Sequence, residues 1–225
     1  AMKNKLLWVL TMIPLISTAI ILPAFPEQVP MHYNLAGEID RWGSKYEQLI
    51  FPIIIVIFSL FWHFLCNYYR KKAAKLGDSK EGREAASNGK VVYFAAVGTT
   101  LMFTVMNFVF LLSAYNEAKN AAEVASIDIN SVIGVLMGLL LIGTGTYMPT
   151  TSRNPVVGFR TRKTMSSEEN WAKANRFAGR VFMLSGALTV LLSLVFGGIA
   201  AMSCFLGILF ADVVICLLYS AKLPS

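Results

Sequence analysis

Apolar residues come in long unbroken blocks along this chain, separated by short polar stretches. Neither the one-sided stripe of a soluble helix nor the alternation of a half-buried strand describes them. The first block runs from Leu6 to Leu22, the second from Leu49 to Tyr69 and the third from Val91 to Ser113. The fourth runs from Ser131 to Met148, and the last stretch, 181–219, is twice too long for one span. A helix crossing a bilayer needs about 20 apolar residues. Splitting the last stretch at Gly197-Gly198 gives Val181–Ile199 and Ala200–Tyr219, and six membrane helices in all. The first block is longer than a signal-peptide core and ends at Pro23, with Pro26 and Pro30 after it, so it reads as a retained span. Ala1 ahead of Met2 reads as an addition and is set aside.

Composition agrees: 56% of residues are apolar and 15% charged, against roughly 45–50% and about 25% in soluble domains. The net charge of +7 would fit a nucleic-acid binder, but its distribution excludes that. With a cytoplasmic N-terminus, 17 of the 20 Lys and Arg fall inside, leaving Arg41, Lys45 and Lys119 outside. This is the positive-inside pattern of a membrane protein with both termini cytoplasmic. Cys66, Cys204 and Cys216 all lie in apolar blocks and read as small buried hydrophobes.

Two connectors are too diverse to be plain linkers. The outer one, VPMHYNLAGEIDRWGSKYEQ, carries His32, Asn34, Gly37, Asp40, Arg41 and Lys45 behind three stiffening prolines. It reads either as a satisfied ion network or as a rigid platform for an extracellular ligand. His32, Glu38 and Asp40 alone are a poor zinc set, so no metal is expected. The inner one spans 147–180. Asn154-Pro155 starts a turn, Gly158 permits an unusual backbone angle, and Ser166 with Glu169 has capping-box spacing. The helix that follows puts Trp171, Ala174 and Phe177–Ala178 on one face, which suits an interfacial helix or a docking surface. Arg160, Arg162 and Lys163 offer charge for an anion, but no Gly-rich phosphate loop surrounds them. The connector at 70–90 reads as a basic polar linker.

Polar groups inside the spans are costly. His63 and Asp212 sit at similar depth, where they could pair as a structural clamp or serve an ion relay; Asn107 lies midway along the third span. Gly134 and Gly138 form a GxxxG, the mark of close helix packing. There is no HExxH, GxSxG or Walker loop, and two histidines serve the whole chain. Catalysis and cofactors are not expected.

The segment LPAFPEQVPMHYNLAGEIDRWGSK resembles the short bacterial domain of unknown function often found at the start of SdpI-type membrane proteins. The segment NPVVGFRTRKTMSSEENWAKANRFAG resembles the SdpI family signature, with Asn154, Gly158, Arg160, Thr161, Ser167, Glu169 and Trp171 in its positions. The resemblance implies an all-α integral membrane protein, with a two-span unit at 1–88 and a four-span unit at 89–225. It implies immunity to a secreted antimicrobial peptide toxin bound outside the cell, and a cytoplasmic surface that recruits a transcriptional repressor. A rival reading is a small transporter or membrane enzyme built on Asp212, His63 and Asn107.

Overall fold

The computed structural model describes residues 4–34, 36–154 and 158–224. Lys3 and the proline of the Asn154-Pro155 turn lie outside them. Six helices form: α1 (Lys5–Ile21), α2 (Ile50–Leu76), α3 (Lys80–Asn120), α4 (Ile129–Tyr147), α5 (Glu168–Phe196) and α6 (Gly198–Ala221). Each is long and apolar enough to cross a membrane. Large apolar side chains point outward, Leu184 at 74% and Phe210 at 73% exposure, as lipid contact requires and water would penalise. The chain is a multi-pass membrane protein.

One expectation about the connectors is corrected. The basic stretch at 70–90 is not a loop. Lys and Arg stems continue α2 to Leu76, Gly77 ends it, and Ser79 caps α3 by accepting from the Gly82 N–H. The stretch between the third and fourth apolar blocks also begins as helix, because α3 runs on to Asn120. With 41 residues, α3 is about 60 Å long.

The outer connector is a β-hairpin: β1 (Gln28–Tyr33) pairs antiparallel with β2 (Ile39–Ser44). Its turn is held by the Asn34 side chain, whose oxygen accepts from the Ala36 and Glu38 N–H groups. A further segment extends the pairing, with the Ile39 N–H on the Glu123 carbonyl and the Ala125 N–H on the Gly37 carbonyl. Val29 and Phe25 anchor the hairpin on Leu111 and Ala114 of α3.

The helices pack as two groups. In the first, α3 lies against α2 and α1. Phe103 and Phe110 meet Phe51, and the Thr11 hydroxyl donates to Ser59 at 2.6 Å. The division expected at 88/89 thus does not coincide with a packing boundary, since α3 packs chiefly on the first two spans. In the second group α5 lies between α4 and α6. The expected small-residue packing of α4 is present, and α5 supplies its other half. A β-carbon on Gly145 would stand 2.5 Å from the Gly179 carbonyl oxygen, and one on Gly138 2.7 Å from that of Gly186. Gly197 and Gly198 turn the chain with φ of +64° and +50°, at the position expected for the hairpin between the last two spans.

Between the groups, contact is concentrated near the far ends of α3 and α4. Phe94 stacks on Tyr147 at 5.0 Å, and Gly98 lies against Leu140. Towards the hairpin the groups diverge around a cavity.

Candidate functional site

The hairpin and the 151–167 segment sit at opposite ends of α4, about 28 Å apart along its 19 residues. Asn4 reaches His63 and Pro224 reaches Asn170, so both described termini lie at the end away from the hairpin.

At the hairpin end, the charged residues singled out from the sequence are each paired. His32 Nδ1 meets Asp40 at 2.6 Å, Arg41 binds Glu47, and Lys45 binds Glu27 at 2.9 Å. Ser44 and Glu47 form a capping box, which steers the chain into α2. Below these pairs lies a cavity of about 610 Å³. His32, Asn34 and Gly37 line its roof; Phe51, Ile54 and Phe110 form apolar walls, and Asn107 lies deepest along α3. Asp40, Arg41 and Lys45 do not line it.

A second feature here went unread in the sequence. Glu117 is fully buried near the end of α3. One of its oxygens accepts from the Tyr33 hydroxyl at 2.6 Å. The other accepts from the Ser113 hydroxyl and from the Ser126 N–H at 2.6 Å. One carboxylate thereby ties β1, α3 and the following loop together. Burial, and then the Glu117 carboxylate that accepts its proton, push the Tyr33 phenol well above its ordinary pKa. The available signal was an acid in the last turn of a helix, where the dipole disfavours it.

Asp128 plays a similar part at the start of α4. It accepts from the Asn130 and Ser131 N–H groups and also from the N–H of Gly198, so it caps α4 and α6 together. Burial raises its carboxyl, but the Ser131 hydroxyl and these amides outweigh that and hold it below the ordinary carboxylate range. Its position just ahead of an apolar block was a legible N-cap signal.

At the other end residues 151–154 and 158–167 are bonded into the fold. Trp171 is 1% exposed and donates its indole N–H to the Thr151 carbonyl at 2.7 Å. Asn175 accepts from the Phe159 N–H at 2.8 Å. The buried Thr164 hydroxyl accepts from the Thr161 N–H at 2.7 Å. Gly158 has φ +125°, and a β-carbon there would stand 2.6 Å from both the Trp171 ring and the Asn175 side chain. Asn154 is buried as well, and its amide donates to the Ser152 carbonyl. The helix cap falls one residue later than the Ser166–Glu169 spacing suggests: Ser167 accepts from the Asn170 N–H. Lys163 donates to the Ala221 and Leu223 carbonyls at the end of α6, so it is committed to the chain itself. Arg160 and Glu169 are exposed, Glu169 paired with Lys173. Trp171, Ala174 and Ala178 face the interior, which leaves neither an interfacial nor a docking role for that face.

The three polar groups inside the spans do not meet. His63 belongs to the first helix group, where its Nδ1 accepts from Trp8 at 3.0 Å. Asp212 belongs to the second and accepts from Ser185 at 2.7 Å. Asn107 donates to Thr18 at 3.2 Å. The expected His63–Asp212 pair is absent because α2 and α6 belong to different groups. Cys66, Cys204 and Cys216 are free thiols, the first and last of them buried.

Residues 9–56 match the domain of unknown function DUF1648, and residues 150–220 match the SdpI/YfhL protein family. The chain is 21% identical over 191 residues to the immunity protein SdpI of Bacillus subtilis, covering 85% of this chain and 81% of that protein. It is 36% identical over 67 residues to the uncharacterized protein YfhL of the same organism, covering 28% of this chain and 61% of that protein. No solved structure matches. The two matched segments take in the two ends described above: residues 150–220 are similar to the SdpI/YfhL protein family, and residues 9–56 to DUF1648.

Proposed function

We propose that the protein gives its cell immunity to a secreted, membrane-active peptide toxin, acting by binding and without catalysis. The likeness to an immunity protein along most of both chains supports this. The observation that carries the reading to a place in the molecule is the cavity under the hairpin. A cleft of this size, with mixed apolar walls and a polar roof, is the usual form of a ligand site. In this reading the hairpin end faces outward, since 17 of the 20 Lys and Arg belong to the other end and its termini. His32, Asn34 and Gly37 meet the toxin, while Asp40, Arg41 and Lys45 hold the hairpin in shape.

The cytoplasmic end would report occupancy to a partner, a transcriptional repressor in the family pattern. Its exposed Arg160 and Glu169 are the groups such a partner can reach. Asn154, Gly158, Thr161 and Trp171 keep the segment in one conformation. Contact with DNA is left to the partner.

The test is survival. Toxin-sensitive cells expressing the chain are challenged with the killing peptide purified from a producer's culture medium, and survivors are counted against cells carrying an empty vector. Equal survival, with the chain present in the membrane, would sink the proposal. Impermeant thiol labelling of His32→Cys and Arg160→Cys in intact cells checks sidedness; only the first should react.

A further inference from the structure

The cavity under the hairpin is placed strangely for a site that meets its ligand from water. Its lining runs from Asn34 and Gly37 at the turn down to Phe110 and Asn107 of α3. Asn107 lies 13 residues before the end of that helix, about 20 Å along it. The space exists because the two helix groups touch at one end, through Phe94, Tyr147, Gly98 and Leu140, and diverge at the other. It is thus a wedge-shaped gap within the thickness of the spans, covered by the hairpin.

Its chemistry changes with depth. Phe51, Ile54, Phe110, Ala114 and Ile129 make the walls apolar. At the deep end Asn107 is 2% exposed and lines the gap. Its one hydrogen bond among the described residues runs from Nδ2 to the Thr18 hydroxyl, so half of its amide is left over for an occupant. Each charged group of the hairpin pairs already has its partner, and only His32 and Glu47 of them reach the lining. A highly charged ligand would find no free counter-ion here. An acyl chain would suit the walls but would strand the Asn107 amide, which costs free energy in an apolar setting.

Resting on the immunity reading, we infer that the occupant is the apolar end of a membrane-embedded peptide, entering the gap from the bilayer beneath the hairpin and presenting a hydrogen-bonding group to Asn107. A cavity of about 610 Å³ holds a few side chains of such a peptide and not a whole helix. Beneath the roof of His32, Asn34 and Gly37, the peptide's apolar end is recognised by Ile54, Phe110 and Asn107, and the exposed Asp40 and Arg41 contribute little.

The experiment has two arms. In the first, cells expressing the wild type, Ile54→Trp, Ala114→Leu or Asp40→Ala are challenged with the purified killing peptide. Filling the gap should cut protection by about tenfold or more, equivalent to at least about 1.4 kcal/mol of binding, while Asp40→Ala protects as the wild type does. In the second, full-length Ile54→Cys is reconstituted in phosphatidylethanolamine–phosphatidylglycerol vesicles and labelled with N-ethylmaleimide, with and without the peptide, the wild-type chain giving the background of its own thiols. The peptide should slow labelling severalfold. Wild-type protection that survives in both filled variants would overturn the inference and leave the immunity reading standing. Labelling already slow in lipid and indifferent to peptide would overturn it in favour of an acyl chain. A wild type that gives no protection, with labelling still slowed, would remove the immunity reading and keep the binding site. If Ile54→Trp fails to accumulate, the labelling arm alone decides.

Discussion

The two ends of the helix bundle are closed by different chemistry. At the 151–167 end a buried tryptophan, two buried asparagines and a buried threonine bond to backbone groups around a glycine with no room for a β-carbon. At the hairpin end one buried carboxylate and three ion pairs suspend a two-stranded roof over an open gap. The first arrangement is a plug, intolerant of change and with little to offer a ligand directly. The second leaves a cavity that an occupant can enter without disturbing the core. Density of motif residues therefore does not mark a cavity: the richest sequence signature here is mainly a structural lock.

That contrast can be broken. The largest effect is expected for Trp171→Ala, which removes a fully buried ring and its bond to Thr151, a loss of about 3–5 kcal/mol. It should appear as a large fall in the melting temperature of the purified protein, and a fall no greater than that of Asp40→Ala would refute the plug. Gly158→Ala comes next, because an L-residue at φ +125° is strained and its β-carbon would overlap Trp171 and Asn175. A cost of about 1–3 kcal/mol is expected, measured the same way.

At the roof, Glu117→Ala strands the Tyr33, Ser113 and Ser126 donors and should cost about 1–3 kcal/mol. Amide exchange should rise in β1 and at 123–126 while residues 158–167 stay protected. Equal loss at both ends would contradict the independence claimed for them.

Two pH limbs follow from the same groups. Asp128 has a depressed pKa, so its contribution is present above the ordinary carboxylate value of about 4 and is lost as the pH falls through the folded value. Tyr33 has a raised pKa, so its contribution is present below the ordinary phenol value of about 10 and is lost as the pH rises beyond it. Melting curves against pH should show the acid limb reduced in Asp128→Asn and the alkaline limb reduced in Tyr33→Phe. The smallest effect belongs to Asp40→Ala. Its partner His32 is 65% exposed, and such a pair contributes less than about 1 kcal/mol.

How far the sequence could be read depended on whether a feature was local. The hairpin's stiffness was legible in Pro23, Pro26 and Pro30, and its turn in Asn34 and Gly37, but its strands were hidden in a stretch lacking clean alternation. The α4 side of the glycine seam was legible from Gly134 and Gly138. Its α5 side was not, because Gly179 and Gly186 stand seven apart in separate surroundings. Glu117 was overlooked for the same reason, since its partners Tyr33 and Ser126 come from other elements.

By itself the sequence determined six spans, their boundaries at Pro23 and Gly197-Gly198, and the sorting of basic residues to one end. A bilayer imposes length, apolarity and charge asymmetry on each segment separately, so these are written locally. Only the tertiary structure decided that His63 and Asp212 lie in different helix groups, that Trp171 faces inward, and that the groups part beneath the hairpin. Those outcomes depend on which helices touch. That is settled by small-residue seams and hydrogen bonds between side chains distant in the chain, and no single segment encodes it.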